Sequence, residues 1–314
     1  MIMPFPLTRG EVAPASVEIS VVVSTRNRAA NLPRLFDALE RQTFKGAWEL
    51  VIVDNDSSDE TPEVIGALAS RHSFPVVQAV EHRRGKAYAL NAGIRLARGT
   101  LTAFTDDDAI PAPDWLERIT ARFAADPTLR CLGGRVELLN PEDAPITVRL
   151  SRQPSVVDRT NYAPSNIPVI GCNMAFRSET LRNLGLFDVV LGPGSKVRGY
   201  EDTDLLYRVV SSGHRIHYDP DLLVHHDHGR RAEADVAAVR SDYSSGRGGF
   251  YTKWLMRGDT TVMRWAYWDL RTVFIDIVRY GVVTGRARRE WRELGLSILG
   301  AARYLRYSGQ VDRT

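Results

Sequence analysis

At 314 residues, with 44% hydrophobic and 25% charged side chains and no long low-complexity tract, the chain can bury a sizeable core, which excludes wholesale disorder. The formal charge of +3 hides an asymmetry: residues 230–314 hold 16 Lys or Arg against 9 Asp or Glu, a net of +7, and the first 229 residues hold 25 against 29. No apolar run is long enough to span a bilayer and no basic-then-apolar leader opens the sequence, so a cytoplasmic protein is expected.

From Glu18 onward, short β-rich runs alternate with helical ones. Ile19–Ser24, Glu49–Asp54, Val76–Glu81 and Leu101–Asp106 read as strands. Between them, Ala30–Arg41 carries Leu32, Leu35, Phe36 and Leu39 on one helical face, and Thr61–Arg71 and Lys86–Ala97 follow the same spacing. Repeated βα units predict a parallel sheet covered on both faces, with a ligand crevice at the carboxyl ends of its strands. Polar residues gather at those ends: Thr25-Arg26-Asn27 after the first strand, Asp54 to Asp59 after the second, and Asp106-Asp107-Asp108 after the fourth. A single polar turn is explained equally well as a helix cap, as Ser58 or Asp59 would be. Three converging turns point to a site.

A helix is expected at Trp115–Ala125, then strands at Cys131–Leu139 and Val169–Phe176. The Pro-rich stretch Asn140–Pro168 between them is expected to include a mobile loop over the crevice. Glu201–Ser212 reads as a helix closed by Gly213, followed by short strands at Arg215–Tyr218 and Leu222–His226. Cys131 and Cys172 lack CxxC spacing and zinc-type histidine partners, and are expected to be buried and inert.

Three consecutive carboxylates at a strand end repel one another unless a cation or a donor compensates them. A hard divalent metal, Mn²⁺ or Mg²⁺, suits such a cluster and suits diphosphate oxygens at the same time. The bland alternative is an exposed acidic turn. A second acidic cluster, Glu201-Asp202-Thr203-Asp204, follows the Gly-rich segment Gly192–Gly199. Its acids either cap the helix or take a proton from an incoming hydroxyl, with the neighbouring acid orienting the base or binding the acceptor. Arg83-Arg84-Gly85-Lys86 opens a helix and brings cations, Arg84 and Lys86 among them, to free backbone N–H groups, a phosphate-binding arrangement. Neither a GxxxxGK loop nor a GxGxxG after the first strand is present, which removes the main support for P-loop and dinucleotide-binding readings. His225, His226 and His228 flank Asp227; His226 and His228 are candidate metal ligands, the alternative being a surface turn.

Together these motifs resemble the family 2 glycosyltransferases, from about Val17 to about Gly229. The matching elements are Thr25-Arg26-Asn27-Arg28, Val51 to Asp59, Gly85-Lys86-Ala87-Tyr88-Ala89-Leu90-Asn91-Ala92-Gly93-Ile94, Asp106-Asp107-Asp108, Gly199 to Arg208, and Pro220 with His226 six residues on. The resemblance implies a GT-A type Rossmann-like mixed sheet flanked by helices, with a C-terminal helical extension. It divides the chain into an N-terminal extension (1–16), a catalytic domain (17–229) and a basic, aromatic-rich helical module (230–314). It implies a nucleotide-sugar donor held by Thr25, Asn27, Asp54 and Asp56, with Arg26 counted beside them. It further implies Asp106 facing the donor ribose or sugar with Asp107 at its side, Asp108 on the metal, and Asp202 as the base of an inverting transfer. No Gln-x-x-Arg-Trp motif occurs, which disfavours the processive polysaccharide synthases.

The expected acceptor is a glycan or lipid-linked hydroxyl, in envelope or exopolysaccharide assembly. Rival readings are a nucleotidyltransferase acting on sugar phosphates and a non-catalytic nucleotide- or nucleic-acid-binding module. No nucleic-acid motif supports the last, and no nucleic-acid partner is expected. In the C-terminal module, Trp254, Leu255, Met256, Met263, Trp265, Tyr267, Trp268, Phe274, Ile275 and Ile277 alternate with Lys253, Arg257, Arg264, Arg271 and Arg279. Two readings stay open: a helix lying in the headgroup region at the inner face of the cytoplasmic membrane, or apolar packing on the catalytic domain or in a homodimer.

Overall fold

The run Ile-Ser-Val-Val-Val-Ser-Thr folds as β1 (Ile19–Thr25), its β-branched residues buried on both faces as a central parallel strand requires. The computed structural model describes residues 16–164, 167–280 and 285–311, and the side chains at 276–287 and 310–314 lie outside that description. All of the expected N-terminal extension except Ser16, and the side chains of Ile277 and Arg279, therefore fall outside the described residues.

After β1 the elements are α1 (Leu32–Glu40), β2 (Trp48–Asp54), α2 (Thr61–Arg71), β3 (Val76–Val80), α3 (Lys86–Leu96) and β4 (Leu101–Phe104). Next come β5 (Ala109–Pro111), α4 (Trp115–Ala125), β6 (Cys131–Leu138), β7 (Ser155–Val157), β8 (Met174–Arg177) and α5 (Ser178–Leu184). The chain continues through α6 (Glu201–Ser211), β9 (Ile216–His226), α7 (Glu233–Leu255), α8 (Thr260–Tyr280) and α9 (Gly285–Val311). The sheet order is β3-β2-β1-β4-β8-β6-β9-β5, with β7 on β9. The first four strands pair parallel, as the βα repetition predicts. From β4 the sheet turns mixed: β8 runs antiparallel to β4 and β6, β9 parallel to β6, and β5 antiparallel to β9. Leu32, Leu35, Phe36 and Leu39 of α1 are fully buried in the principal core. Gly93 lets α3 lie close on the sheet, because a Cβ there would stand 2.5 Å from Val22 Cγ1.

Four strands differ from the sequence reading. The two short strands expected at Arg215–Tyr218 and Leu222–His226 are one strand, β9, whose register against β6 jumps from Gly134↔Asp219 to Arg135↔Leu223. Pro220 sits in the jump, where its missing N–H costs no ladder bond. The strand expected over Val169–Phe176 is ordered as strand only from Met174. Before it, the Asn173 amide donates to Arg135 O and Leu222 O, each at 2.9 Å, and accepts from the Trp115 indole at 2.9 Å, so side-chain bonds replace the ladder. The three-residue strands β5 and β7 are too short to carry a period.

The chain forms two compact units. One comprises the chain up to Phe187 together with Leu205–Arg231, and the other comprises Asp188–Asp204 with the chain from Ala232 onward. In the second unit α7 and α9 meet through small residues. A Cβ on Gly248 would fall 1.8 Å from Ser297 O and one on Gly300 2.0 Å from Ser245 O, while Ser297 Oγ donates to Ser244 O at 2.8 Å. Backbones this close leave no room for larger side chains at those positions.

Candidate active site

The carboxyl ends of β1 and β2 lie side by side, Thr25 in register with Asp54. Their turns are fixed by mutual bonds. Asn27, in the left-handed region at φ 51°, donates its N–H to Ser57 Oγ at 2.8 Å and accepts Ser58 N–H on Oδ1 at 2.8 Å. The Asp54 carboxylate accepts the Ser57 N–H and hydroxyl, and the Arg26 guanidinium donates to Asn55 O. Asp56, with φ 59°, is exposed and meets His82 Nδ1 at 3.0 Å. Asn55 ties the next turn in: its amide donates to Glu81 O and Arg83 O and accepts the Gly85 N–H, all at 2.8 Å. Gly85 (φ 140°) then opens α3, Arg84 is exposed, and Lys86 Nζ reaches Asp106 Oδ1 at 2.5 Å.

Between β4 and β5 the three aspartates leave the sheet. Antiparallel pairing sets Ala109 opposite His226, and the Asp227 N–H donates to Asp108 O at 2.8 Å, so the last residues of β9 lie against the acidic turn. One ligand atom from each of Asp106, Asp108 and His226 lies within 4.8 Å of the others. His226 Nε2 is 3.2 Å from Asp108 Oδ1, and its Nδ1 lies 3.2 Å from the Thr147 hydroxyl, which fixes which nitrogen faces the acids. Burial raises the Asp108 pKa, but the bond and charge of His226, then Arg28 and Lys86, outweigh it and hold the carboxyl below its usual range. His226 is the mirror case: burial lowers its pKa, and Asp108 more than restores it. Asp107 goes the other way. Burial, and then the Asp108 charge, push its carboxyl up to about 7 in spite of the Arg28 charge nearby. Two oxygen ligands and one imidazole nitrogen, with Asp108 and His226 buried and Asp106 half-buried, form a donor set that fits Mn²⁺ or Mg²⁺.

His228 stands beside this group and outside it. Its Nδ1 accepts the Arg230 N–H at 3.0 Å, and its ring meets that of His226 edge-on with centroids 5.2 Å apart. His225 points to the other side of β9, 3.9 Å from Glu137. Both cysteines are buried, and burial raises both thiols well above their ordinary pKa.

Glu201 and Asp202 belong to the second unit. Asp202 is half-buried in the first turn of α6, and its Oδ1 accepts the Thr203 N–H at 2.6 Å. Glu201 is buried and lies against Gly192 (φ 95°), where a Cβ would come within 2.9 Å of the carboxyl carbon. The Gly-rich segment ahead of them is packed: Leu191 and Val197 bridge, and both are fully buried with Val190 and Tyr304.

Residues 20–185, more than half of the chain, match the family model for glycosyl transferase family 2. The chain belongs to glycosyl transferase family 2. It is a glycosyltransferase by class. The pre-mycofactocin glycosyltransferase of Mycobacterium tuberculosis is 29% identical over 228 residues, 68% of this chain and 44% of that protein. Glycosyltransferase AglE of Haloferax volcanii is 24% identical over 206 residues, 65% of each chain. The chain thus spans less than half the length of the first of these relatives. The mannosyltransferase PcManGT from Pyrobaculum calidifontis, solved with GDP-Man and Mn²⁺, superposes with a TM-score of 0.61 at 20% identity over 96% of this chain and 90% of its own. TarS of S. aureus with UDP-GlcNAc gives a TM-score of 0.61 at 18% identity over 91% of this chain and 82% of its own. The fold is GT-A, with additional C-terminal helices.

Several residues around this glycosyltransferase's acidic turn escaped the sequence reading. Arg28 lies 3.8 Å from Asp107 and 3.7 Å from Asp108; it stands in the Thr-x-Asn-Arg element, and that position was its signal. Thr147 and Asp143 come from the Pro-rich stretch and carry none. Asp143 accepts the Gly229 N–H at 2.9 Å and Arg231 Nε at 3.0 Å, which anchors the loop to the exit of β9.

In the second unit, buried Lys253 of α7 donates to Asp188 and Asp204 at 2.8 Å each, Trp254 Nε1 reaches Asp204 at 3.1 Å, and the Tyr304 hydroxyl reaches Asp188 at 2.9 Å. Lys253 and Trp254, two of the interleaved cationic and aromatic residues, act internally and hold both ends of the segment that carries Glu201 and Asp202. Lys253→Met removes the cation between the buried Asp204 and the half-buried Asp188. It is expected to cost about 3–5 kcal/mol, read as a lower urea midpoint, with Lys253→Arg retaining part of the loss.

Proposed function

We infer that this enzyme moves a sugar from a nucleotide diphosphate sugar, UDP first among the candidates, to a hydroxyl of a glycan or lipid-linked acceptor, with inversion at the anomeric carbon. The grouping of Asp106, Asp108 and His226 carries the reading, because it offers a divalent-cation site at the strand ends where a GT-A fold takes its donor. Complexes of TarS with UDP and UDP-GlcNAc, and of PcManGT with GDP-Man and Mn²⁺, support it by similarity of fold.

In this reading the turns after β1 and β2 (Thr25, Arg26, Asn27, Asp54 and Asp56) receive the nucleotide, and Arg84, with Lys86 held to Asp106, serves the phosphates and ribose. Asp106, Asp108 and His226 would hold Mn²⁺ or Mg²⁺, whose charge would offset that developing on the departing diphosphate. Asp202 removes the proton of the acceptor hydroxyl. The acceptor oxygen then bonds to the anomeric carbon as the carbon–phosphate oxygen bond breaks, and the electron pair leaves with the nucleoside diphosphate. Glu201 orients the base or binds the acceptor. The role of Glu201 and Asp202 rests on their motif, since the family match ends at residue 185. Work at the inner face of the cytoplasmic membrane, in envelope or exopolysaccharide assembly, completes the proposal.

A thermal-shift screen of sugar nucleotides with Mn²⁺ identifies the donor. Turnover with that donor is expected to release a nucleoside diphosphate and give a product of inverted anomeric configuration. A product that keeps the donor's configuration, or pyrophosphate released from a nucleoside triphosphate, overturns the reading.

A further inference from the structure

Helix α8 leaves its apolar side uncovered. Met263, Tyr267, Leu270 and Phe274 recur at i, i+4, i+7 and i+11, one continuous stripe, and are between 51% and 66% exposed. Beside it, at the same spacing, run Arg264, Trp268, Arg271 and Ile275, with the Arg271 guanidinium 5.0 Å over the exposed Trp268 ring. The acid within residues 260–275, Asp269, turns toward α7, where it accepts the Tyr251 hydroxyl at 2.8 Å and lies 3.5 Å from Arg247. The buried Val262 marks that inward side. Within residues 260–275 the outward surface of α8 is thus apolar and cationic without an acid. Among the described residues no helix is long and apolar enough to cross a membrane.

A contiguous exposed apolar stripe of this kind marks an interaction surface. A second copy of this chain is a poor occupant, because an antiparallel two-fold contact on the stripe would bring the flank of Arg264 and Arg271 against the same cationic flank of the other copy. An aromatic and apolar stripe edged by arginines is complementary to the headgroup layer of an anionic bilayer: the ring edges and aliphatic tips enter the acyl boundary and the guanidinium groups meet the phosphates. We propose that α8 docks this glycosyltransferase flat on an anionic membrane through Met263, Tyr267, Leu270 and Phe274. The assignment deepens the proposed work at a membrane face, and it stands or falls independently of the transfer chemistry.

The test is co-sedimentation of the full chain with phosphatidylglycerol and phosphatidylcholine vesicles. Binding to phosphatidylglycerol at low salt is expected, with release at high salt and little binding to phosphatidylcholine. Leu270→Asp with Phe274→Asp is expected to abolish binding, and Arg264→Ala with Arg271→Ala to weaken it about thirtyfold. Because these side chains are exposed, an unchanged melting temperature and unchanged donor binding check that the fold survives. Failure to sediment with phosphatidylglycerol at low salt overturns the proposal, as does binding that Leu270→Asp/Phe274→Asp leaves intact. A dimer in sedimentation velocity that the same variant dissociates, without vesicle binding, identifies the stripe as a contact between copies instead. If vesicle binding fails while donor turnover persists, only the docking surface is lost.

Discussion

Asp202→Asn is expected to turn over at least about a hundredfold more slowly than the parent chain, with donor affinity nearly unchanged. The substitution is nearly isosteric, and an amide oxygen can still accept the Thr203 N–H that now reaches Asp202 Oδ1 at 2.6 Å, so the first turn of α6 should keep its shape. What is lost is basicity, which matters only once an acceptor hydroxyl is being deprotonated. The loss should therefore appear in kcat with acceptor, and not in the donor-induced thermal shift. Glu201→Gln makes the contrast. Its side chain is buried against Gly192, so the loss of its charge should act on acceptor KM or on orientation, with a smaller fall in kcat. Turnover of Asp202→Asn within a few-fold of the parent removes Asp202 from the proton transfer, and an equal loss in both variants points to disruption of the turn.

The sequence was legible where one residue type answers to one local rule. Short β-rich runs and the 3.6-residue spacing located β1 to β4 and the helices between them, because each of those strands is a local β-branched or apolar run and each helix buries one face of its own. The strand-end position of Asp106 and Asp108 could be read for the same reason. The partner that completes their group could not be fixed so firmly. His225, His226 and His228 are alike as sequence, and the choice among them depends on the pairing of β5 with β9, set by three residues that show no periodicity of their own. Long-range side-chain substitutes for the ladder, such as the Asn173 amide bonding to Arg135 O and Leu222 O, leave no periodic trace and displaced the expected start of β8. The basic, aromatic C-terminal segment showed the complementary limit. Composition marked it as unusual, but only the helical phase separates Lys253, which is buried between two aspartates, from Arg264 and Arg271, which are exposed.

The second large effect concerns the cation. Asp108→Ala and excess chelator are each expected to reduce transfer to near background, and Asp108→Ala to abolish measurable Mn²⁺ binding by calorimetry. In the chain as it stands, positive charge reaches the acidic turn from Lys86 on Asp106, from Arg28 near Asp107 and Asp108, and from His226 on Asp108. That is enough to hold Asp108 ionised, yet Asp107 is still pushed up to about 7 by burial and by its neighbour's charge. A diphosphate brought into this turn adds negative charge to a group that is already short of compensation, so donor affinity should require the cation and the carboxylate that holds it. His226→Ala removes one of three candidate ligands and leaves both acids, which predicts a higher Mn²⁺ requirement with activity recovered at saturating metal. His228→Ala separates the two histidines: its Nδ1 is already engaged by the Arg230 N–H, so its Mn²⁺ requirement should stay near that of the parent chain. Full transfer in excess chelator, or a His226→Ala variant with an unchanged metal requirement, would overturn the assignment of Asp106, Asp108 and His226 as the site.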